Sequence, residues 1–138
     1  MLEGVYDVIV VGGGPAGLTA VLYTARHDLD TLVLEGRKIG GKALEAHWVD
    51  NYPGFPEGIS GEDLMENMIQ QVERFGAEIR NETVVGLSDF DDLKMVTTRR
   101  GFYQAKSVVG SHWCEQEDAE RTRRERVQGS RRKLLRRM

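Results

Sequence analysis

The chain has 138 residues, 40% of them hydrophobic and 7% aromatic, with a net charge of −3 at neutral pH. That length allows one domain or part of one, and no apolar run approaches the roughly 18 residues of a membrane span. A single cysteine, Cys114, excludes an intrachain disulfide and an intrachain Cys-x-x-C pair, and the start lacks the features of a secretory signal, so a cytoplasmic setting is expected.

Asp7-Val8-Ile9-Val10-Val11 reads as a buried strand, closed by Gly12-Gly13-Gly14-Pro15-Ala16-Gly17. Gly12, Gly14 and Gly17 fit G-x-G-x-x-G. The pattern alone is weak, but here it follows a strand and opens a helix, as its mechanism requires. Gly12 allows the tight turn, Gly14 lets the backbone approach a pyrophosphate, and Gly17 lets helix and sheet pack closely. A helix over Pro15–Arg26 is expected, with Pro15 near its start, its first N–H groups and positive dipole end aimed at that pyrophosphate. Thr31-Leu32-Val33-Leu34-Glu35 reads as a second buried strand ending in an acid. Glu35 falls near the spacing of a carboxylate that takes hydrogen bonds from ribose hydroxyls. The fingerprint does not separate FAD from NAD.

Two further stretches carry a resemblance: Gly40-Gly41-Lys42, and Asp50-Asn51-Tyr52-Pro53-Gly54-Phe55-Pro56-Glu57-Gly58-Ile59-Ser60-Gly61. Over residues 5 to 109 the chain resembles the N-terminal part of the thioredoxin reductase family. Those FAD enzymes pass electrons from NADPH through flavin to a redox-active Cys pair and on to a thioredoxin-like disulfide protein. The resemblance implies that Gly12, Gly14, Pro15, Ala16, Gly17 and Glu35 serve the FAD pyrophosphate and adenosine ribose. It also implies that Gly40, Gly41, Lys42 and Asn51 lie near the isoalloxazine. The family usually has Gln where this chain has Lys42, and a cation near reduced flavin is electrostatically reasonable.

Ser60 with Asp63 is expected to cap a second helix running to about Phe75, with Leu64, Met65, Met68, Ile69 and Val72 on one side and Gly76 as its stop. Strand signals follow at Ala77–Arg80, Thr83–Leu87, Lys94–Thr98 and Phe102–Ala105, with Arg99-Arg100-Gly101 as a hairpin turn. Ser107-Val108-Val109 begins another buried strand. The expected fold is α/β: an incomplete Rossmann-like FAD-binding domain, a parallel sheet with helices plus a small antiparallel β meander. His27, His47 and His112 are scattered singly, and with one Cys they give no metal-ligand spacing.

The character changes after Val109. Residues 110–138 hold nine Lys/Arg against five Asp/Glu, a net of +4, which leaves −7 for residues 1–109. So few apolar residues accompany these charges that the segment is expected to be disordered. The genetic code offers a reason. In the family a strand of this kind continues V-A-T-G-A; with one extra base ahead of its codons, that stretch reads Gly110-Ser111-His112-Trp113-Cys114. Codons for the rest can be chosen so that the other frame gives a loop and a Y-C-A-x-C-D redox motif. Residues 1–109 are therefore expected to be a partial FAD/NAD(P)-binding domain and residues 110–138 a frameshifted tail. The chain is then an inactive fragment with a weak or incomplete FAD site. NADPH, the disulfide partner and a homodimer belong to intact relatives. Another FAD-dependent pyridine nucleotide oxidoreductase is the alternative within enzymes. Outside them stand a non-catalytic nucleotide-binding fragment and a basic-tailed nucleic-acid binder, against which the interleaved acids and scarce aromatics argue.

Overall fold

The computed structural model describes residues 4–111. Strand β1 (Tyr6–Val11) is followed by helix α1 (Pro15–Arg26) and strand β2 (Thr31–Leu34). A short 3₁₀ turn, Gly41–Glu45, precedes helix α2 (Gly61–Glu73). Strands β3 (Glu78–Arg80), β4 (Val84–Phe90), β5 (Leu93–Thr98) and β6 (Phe102–Gly110) complete the described chain. They form one six-stranded sheet in the order β3-β2-β1-β6-β5-β4. Strands β3, β2, β1 and β6 run parallel to their neighbours in that series, whereas β4 pairs antiparallel with β5, and β5 with β6.

The meander is therefore not a separate sheet. The sequence signals at Phe102–Ala105 and Ser107–Val109 are one continuous strand, whose first half pairs with β5 while its second half pairs with β1, up to Val11 opposite Gly110. Lys106 alone between the two apolar stretches suggests an interruption, but it lies on an exposed side and forms a 2.6 Å ion pair with Asp7 across the β1 junction. The strand thus passes Val109, and Ser111 N–H still donates to the Val11 carbonyl at 2.8 Å. The first two residues of the tail expected at 110–138 are therefore ordered, because they continue the pairing with β1, and residues 112–138 lie outside the described residues.

Alternation along the parallel strands divides the core between the two sheet faces. Val8, Val10 and Val33 pack with Leu18 and Val21 of α1 and Leu64, Met65, Met68 and Val72 of α2. Ile9, Leu32 and Leu34 point the other way and pack with Val96, Tyr103 and Ala105 of the meander. The methionines are core, as their helical spacing suggests. Ser60 caps α2 by accepting the Asp63 N–H at 3.0 Å, and Gly76, with φ +78°, follows its end.

Candidate functional site

The chain leaves β1 toward β2 on one side, and β6 lies on the other, so the turn after β1 opens into the crevice at the strands' carboxyl ends where the order reverses. Ligands of open α/β sheets bind in that crevice. The turn is Gly12-Gly13-Gly14.

Each glycine of the motif meets a different constraint. Gly12 has φ +106°, in the region that favours glycine. A Cβ on Gly17 would overlap the Gly12 carbonyl oxygen and stand 2.5 Å from Ser111 Oγ. Gly14 has ordinary extended angles, φ −79° and ψ −174°. A Cβ there would meet nothing within 4 Å. The space beside Gly14 is what a backbone-hugging ligand would fill.

The peptide groups of Gly12 and Gly13 are held from four directions. Gly12 N–H donates to the Leu34 carbonyl at 2.9 Å, and Gly12 O accepts from the Ser111 hydroxyl at 2.8 Å. Gly13 N–H donates to Glu35 Oε2 at 2.8 Å, and Gly13 O accepts from Gly40 N–H at 2.8 Å. A turn so braced does not need to reorganise when a ligand arrives.

The start of α1 matches that open space. Gly14 is its N-cap, no side chain caps it, Pro15 occupies the first turn, and no acidic residue stands there. The start of α2 differs: Ser60 caps it, and Glu62 and Asp63 lie in its first turn. Only the former has no carboxylate within its own first turn.

Glu35 is buried, 5% exposed. Oε1 accepts Arg37 N–H at 2.9 Å while Oε2 holds Gly13. Ile39 packs against the same turn, 3.2 Å from where a Gly13 Cβ would stand. Gly41 faces Gly14: a Cβ on it would lie 3.5 Å from Gly14 Cα. Lys42 follows, exposed, on the 3₁₀ turn.

Gly12, Gly14, Pro15, Ala16 and Gly17 form the β1–α1 turn and the start of α1, and Glu35, Gly40 and Gly41 stand against that turn, with Lys42 next in the chain. Asn51 stands apart, exposed on the 50–58 loop. That loop is closed by paired hydrogen bonds between Val49 and Ile59 (2.7 and 2.8 Å), and Tyr52 and Phe55 anchor it to the helical core. Sequence reasoning missed Gly13, Ile39 and Ser111. The third consecutive glycine was a signal for the first; nothing in the pattern marks the other two.

Among the described residues no group of three or more His, Cys, Asp and Glu is placed to hold a metal ion, and no helix is long and apolar enough to cross a membrane.

Fold and site together define a Rossmann-like α/β dinucleotide-binding domain. The family description "pyridine nucleotide-disulphide oxidoreductase" matches residues 6–110, and the chain belongs to that family. It is 48% identical over 108 residues to the bifunctional thioredoxin reductase/thioredoxin of Mycobacterium leprae, covering 78% of this chain and 24% of that protein. It is 44% identical to the thioredoxin reductase of Peptoclostridium litorale, covering 34% of that protein. The solved thioredoxin reductase of Gloeobacter violaceus superposes with a TM-score of 0.71 at 40% identity, over 76% of this chain and 33% of that one. The chain spans about a third or less of the length of these relatives.

Proposed function

We propose that residues 1–109 are the partial FAD-binding domain of a thioredoxin reductase-like flavoprotein. The observation that carries this is the braced glycine turn, with empty space beside Gly14 at the uncapped, acid-free start of α1. Gly14, Pro15, Ala16 and Gly17 would meet the FAD pyrophosphate with main chain and helix dipole. Glu35 stands at the adenosine end. Gly40 and Gly41 form the opposite wall, and Lys42 and Asn51 would lie toward the isoalloxazine. When bound, FAD supplies a two-electron relay between a nicotinamide donor and a disulfide.

In intact relatives the donor is NADPH, the acceptor a thioredoxin-like disulfide protein, and the assembly a homodimer. A cytoplasmic setting fits those roles. Residues 110–138 we read as a frameshifted tail; the family match ending at residue 110 supports it. The test of the site is Gly14→Val. Gly14 has angles any residue adopts and open space for a side chain. Stability should therefore stay within about 0.5 kcal/mol, while flavin or ADP affinity falls at least about tenfold, the scale of one lost close contact to an anion. Titration calorimetry and urea unfolding read the two quantities. Unchanged binding would sink the assignment.

A further inference from the structure

The carboxylate that follows β2 is only as well aimed as the segment that carries it. Glu35 Oε2 accepts Gly13 N–H at 2.8 Å and Oε1 accepts Arg37 N–H at 2.9 Å, and each oxygen keeps a further lone pair for a ligand hydroxyl. Residues 35–37 are held in turn by the stretch around the end of β3. Glu35 N–H donates to the Arg80 carbonyl at 3.1 Å. With its amide nitrogen turned toward them, Asn81 donates to the Glu35 carbonyl at 3.0 Å and to the Arg37 carbonyl at 3.3 Å. Gly36, between those two, lies against Thr83: a Cβ there would stand 2.8 Å from Thr83 Oγ1. The holding stretch is itself fixed. Glu82, between Asn81 and Thr83, is buried, and its carboxylate accepts from Thr98 Oγ1 (2.7 Å) and from the Tyr103 hydroxyl (2.8 Å).

We propose that Asn81 is a positioning residue for the sugar end of the groove: its amide holds the two carbonyls that flank Gly36 and so sets the aim of the Glu35 carboxylate. The inference rests on the reading that the glycine turn takes a dinucleotide with Glu35 at its ribose. Asn81 belongs to no motif of the sequence. Its own place comes from Glu82, whose partners lie on β5 and β6, so the antiparallel meander supports the sugar end of a site built on the parallel strands. An aliphatic side chain at position 81 would leave both carbonyls to water and residues 35–37 freer to move. A carboxylate that must be immobilised when the ligand arrives loses part of its affinity to that ordering.

Two ligands and a double-mutant cycle test this in the 138-residue chain. ADP and 2′,3′-dideoxy-ADP share base and diphosphate and differ in the ribose hydroxyls. Asn81→Leu keeps much of the side-chain shape but removes the donor. It should weaken ADP about fivefold, the size of one neutral hydrogen bond, and leave dideoxy-ADP within about twofold. In a Glu35→Gln background the same substitution should cost ADP less than about twofold, because Asn81 acts through that carboxylate. A merely structural role would lower both ligands alike or add to Glu35→Gln in full, and either result overturns the proposal, as does an unchanged ADP affinity. Gly36→Ala is the second lever, since its methyl group would press on Thr83 and displace the same segment. It should shift the ratio of the two affinities in the same direction, and an unmoved ratio counts against the inference even where Asn81→Leu fails to fold. The site reading fails differently: if Gly14→Val leaves ADP binding intact, or Glu35→Gln alone leaves the ratio unmoved, the dinucleotide assignment falls first and the inference with it.

Discussion

Gly14 and Gly17 sit three residues apart in one motif and answer to opposite demands. Gly17 is a packing glycine: the Gly12 carbonyl occupies the position its Cβ would take, and the Ser111 hydroxyl crowds the same spot. Gly17→Ala must push α1 from the sheet, so a cost of about 1–3 kcal/mol is expected, the usual penalty of overpacking, read as a lower urea midpoint without ligand. Gly14 is free of such pressure, so its substitution should act on ligand alone. The sequence motif marks both positions alike; only their surroundings tell them apart. Ser111 adds a second lesson. Its hydroxyl satisfies the Gly12 carbonyl at 2.8 Å, yet it stands just beyond the matched residues 6–110.

At the scale of elements, a polar cluster joins the meander to the parallel strands. Glu82, 9% exposed, accepts from Thr98 Oγ1 at the end of β5 (2.7 Å) and from the Tyr103 hydroxyl in β6 (2.8 Å). Arg80, in β3, donates to the same Tyr103 oxygen at 2.8 Å and pairs with Glu78 at 2.6 Å, and Glu78 in turn accepts from Tyr6 of β1. Burial pushes Glu82 up, but the hydrogen bonds from Thr98 and Tyr103 and the charges of Arg100 and Arg80 outweigh it, leaving Glu82 below its ordinary 4.5. A depressed carboxylate stabilises the fold above its unfolded value, and that contribution is lost as pH falls through the folded one. Urea midpoints should therefore decline as pH drops below about 4.5, and Glu82→Gln should flatten that limb. Tyr103 is raised, first by burial, so its share is present below its ordinary 10.0 and is lost as pH rises through its higher folded value. Glu82→Ala, which strands two buried hydroxyls, should cost about 2–3 kcal/mol. None of this network is legible in the sequence, because its members lie on four strands and a connection whose meeting depends on the final pairing. The elements themselves were largely legible. Both helices and most strand positions follow from apolar spacing and punctuation by Gly76 and Arg99-Arg100-Gly101, since those signals are local. Thr98 Oγ1 accepts the Arg100 and Gly101 N–H groups (3.1 and 3.2 Å), which fixes that turn. The union of two strand signals into β6 was not legible, because it depends on β1, a hundred residues earlier.

At the scale of the molecule, the sheet has two edges among the described residues, β3 and β4. Strand β4 exposes Val85 (56%), Leu87 (62%) and Phe90 (61%), and Asp89, Asp91 and Asp92 lie close in sequence. Apolar side chains on an unpaired edge invite strand addition, which charges restrain. Concentration-dependent association is expected, reduced by Leu87→Lys; a sedimentation series that shows a monomer at every concentration would refute it. The redox prediction belongs to this scale too. Disulfide exchange needs two sulfurs within reach of each other, and this chain has Cys114 alone. An NADPH-dependent thiol-release assay should read zero for the 138-residue product. Removing one base after the Val109 codon should restore Cys-x-x-C and, further on, a second glycine fingerprint; a downstream frame lacking both would refute the frameshift.

The continuity of β6 has a consequence in time. The strand beside β1 is the last one described, and Ser107 reaches back to the main chain of Asp7 across 100 positions. During synthesis β1 can pair only with β2 until the ribosome has released the residues near Gly110. The nascent chain must therefore carry an open strand until then, and non-local closure of this kind is slow. Chaperone dependence should concentrate in that window, and arrested chains ending before Lys106 should stay protease-sensitive while those ending well beyond Ser111 become resistant in a single step.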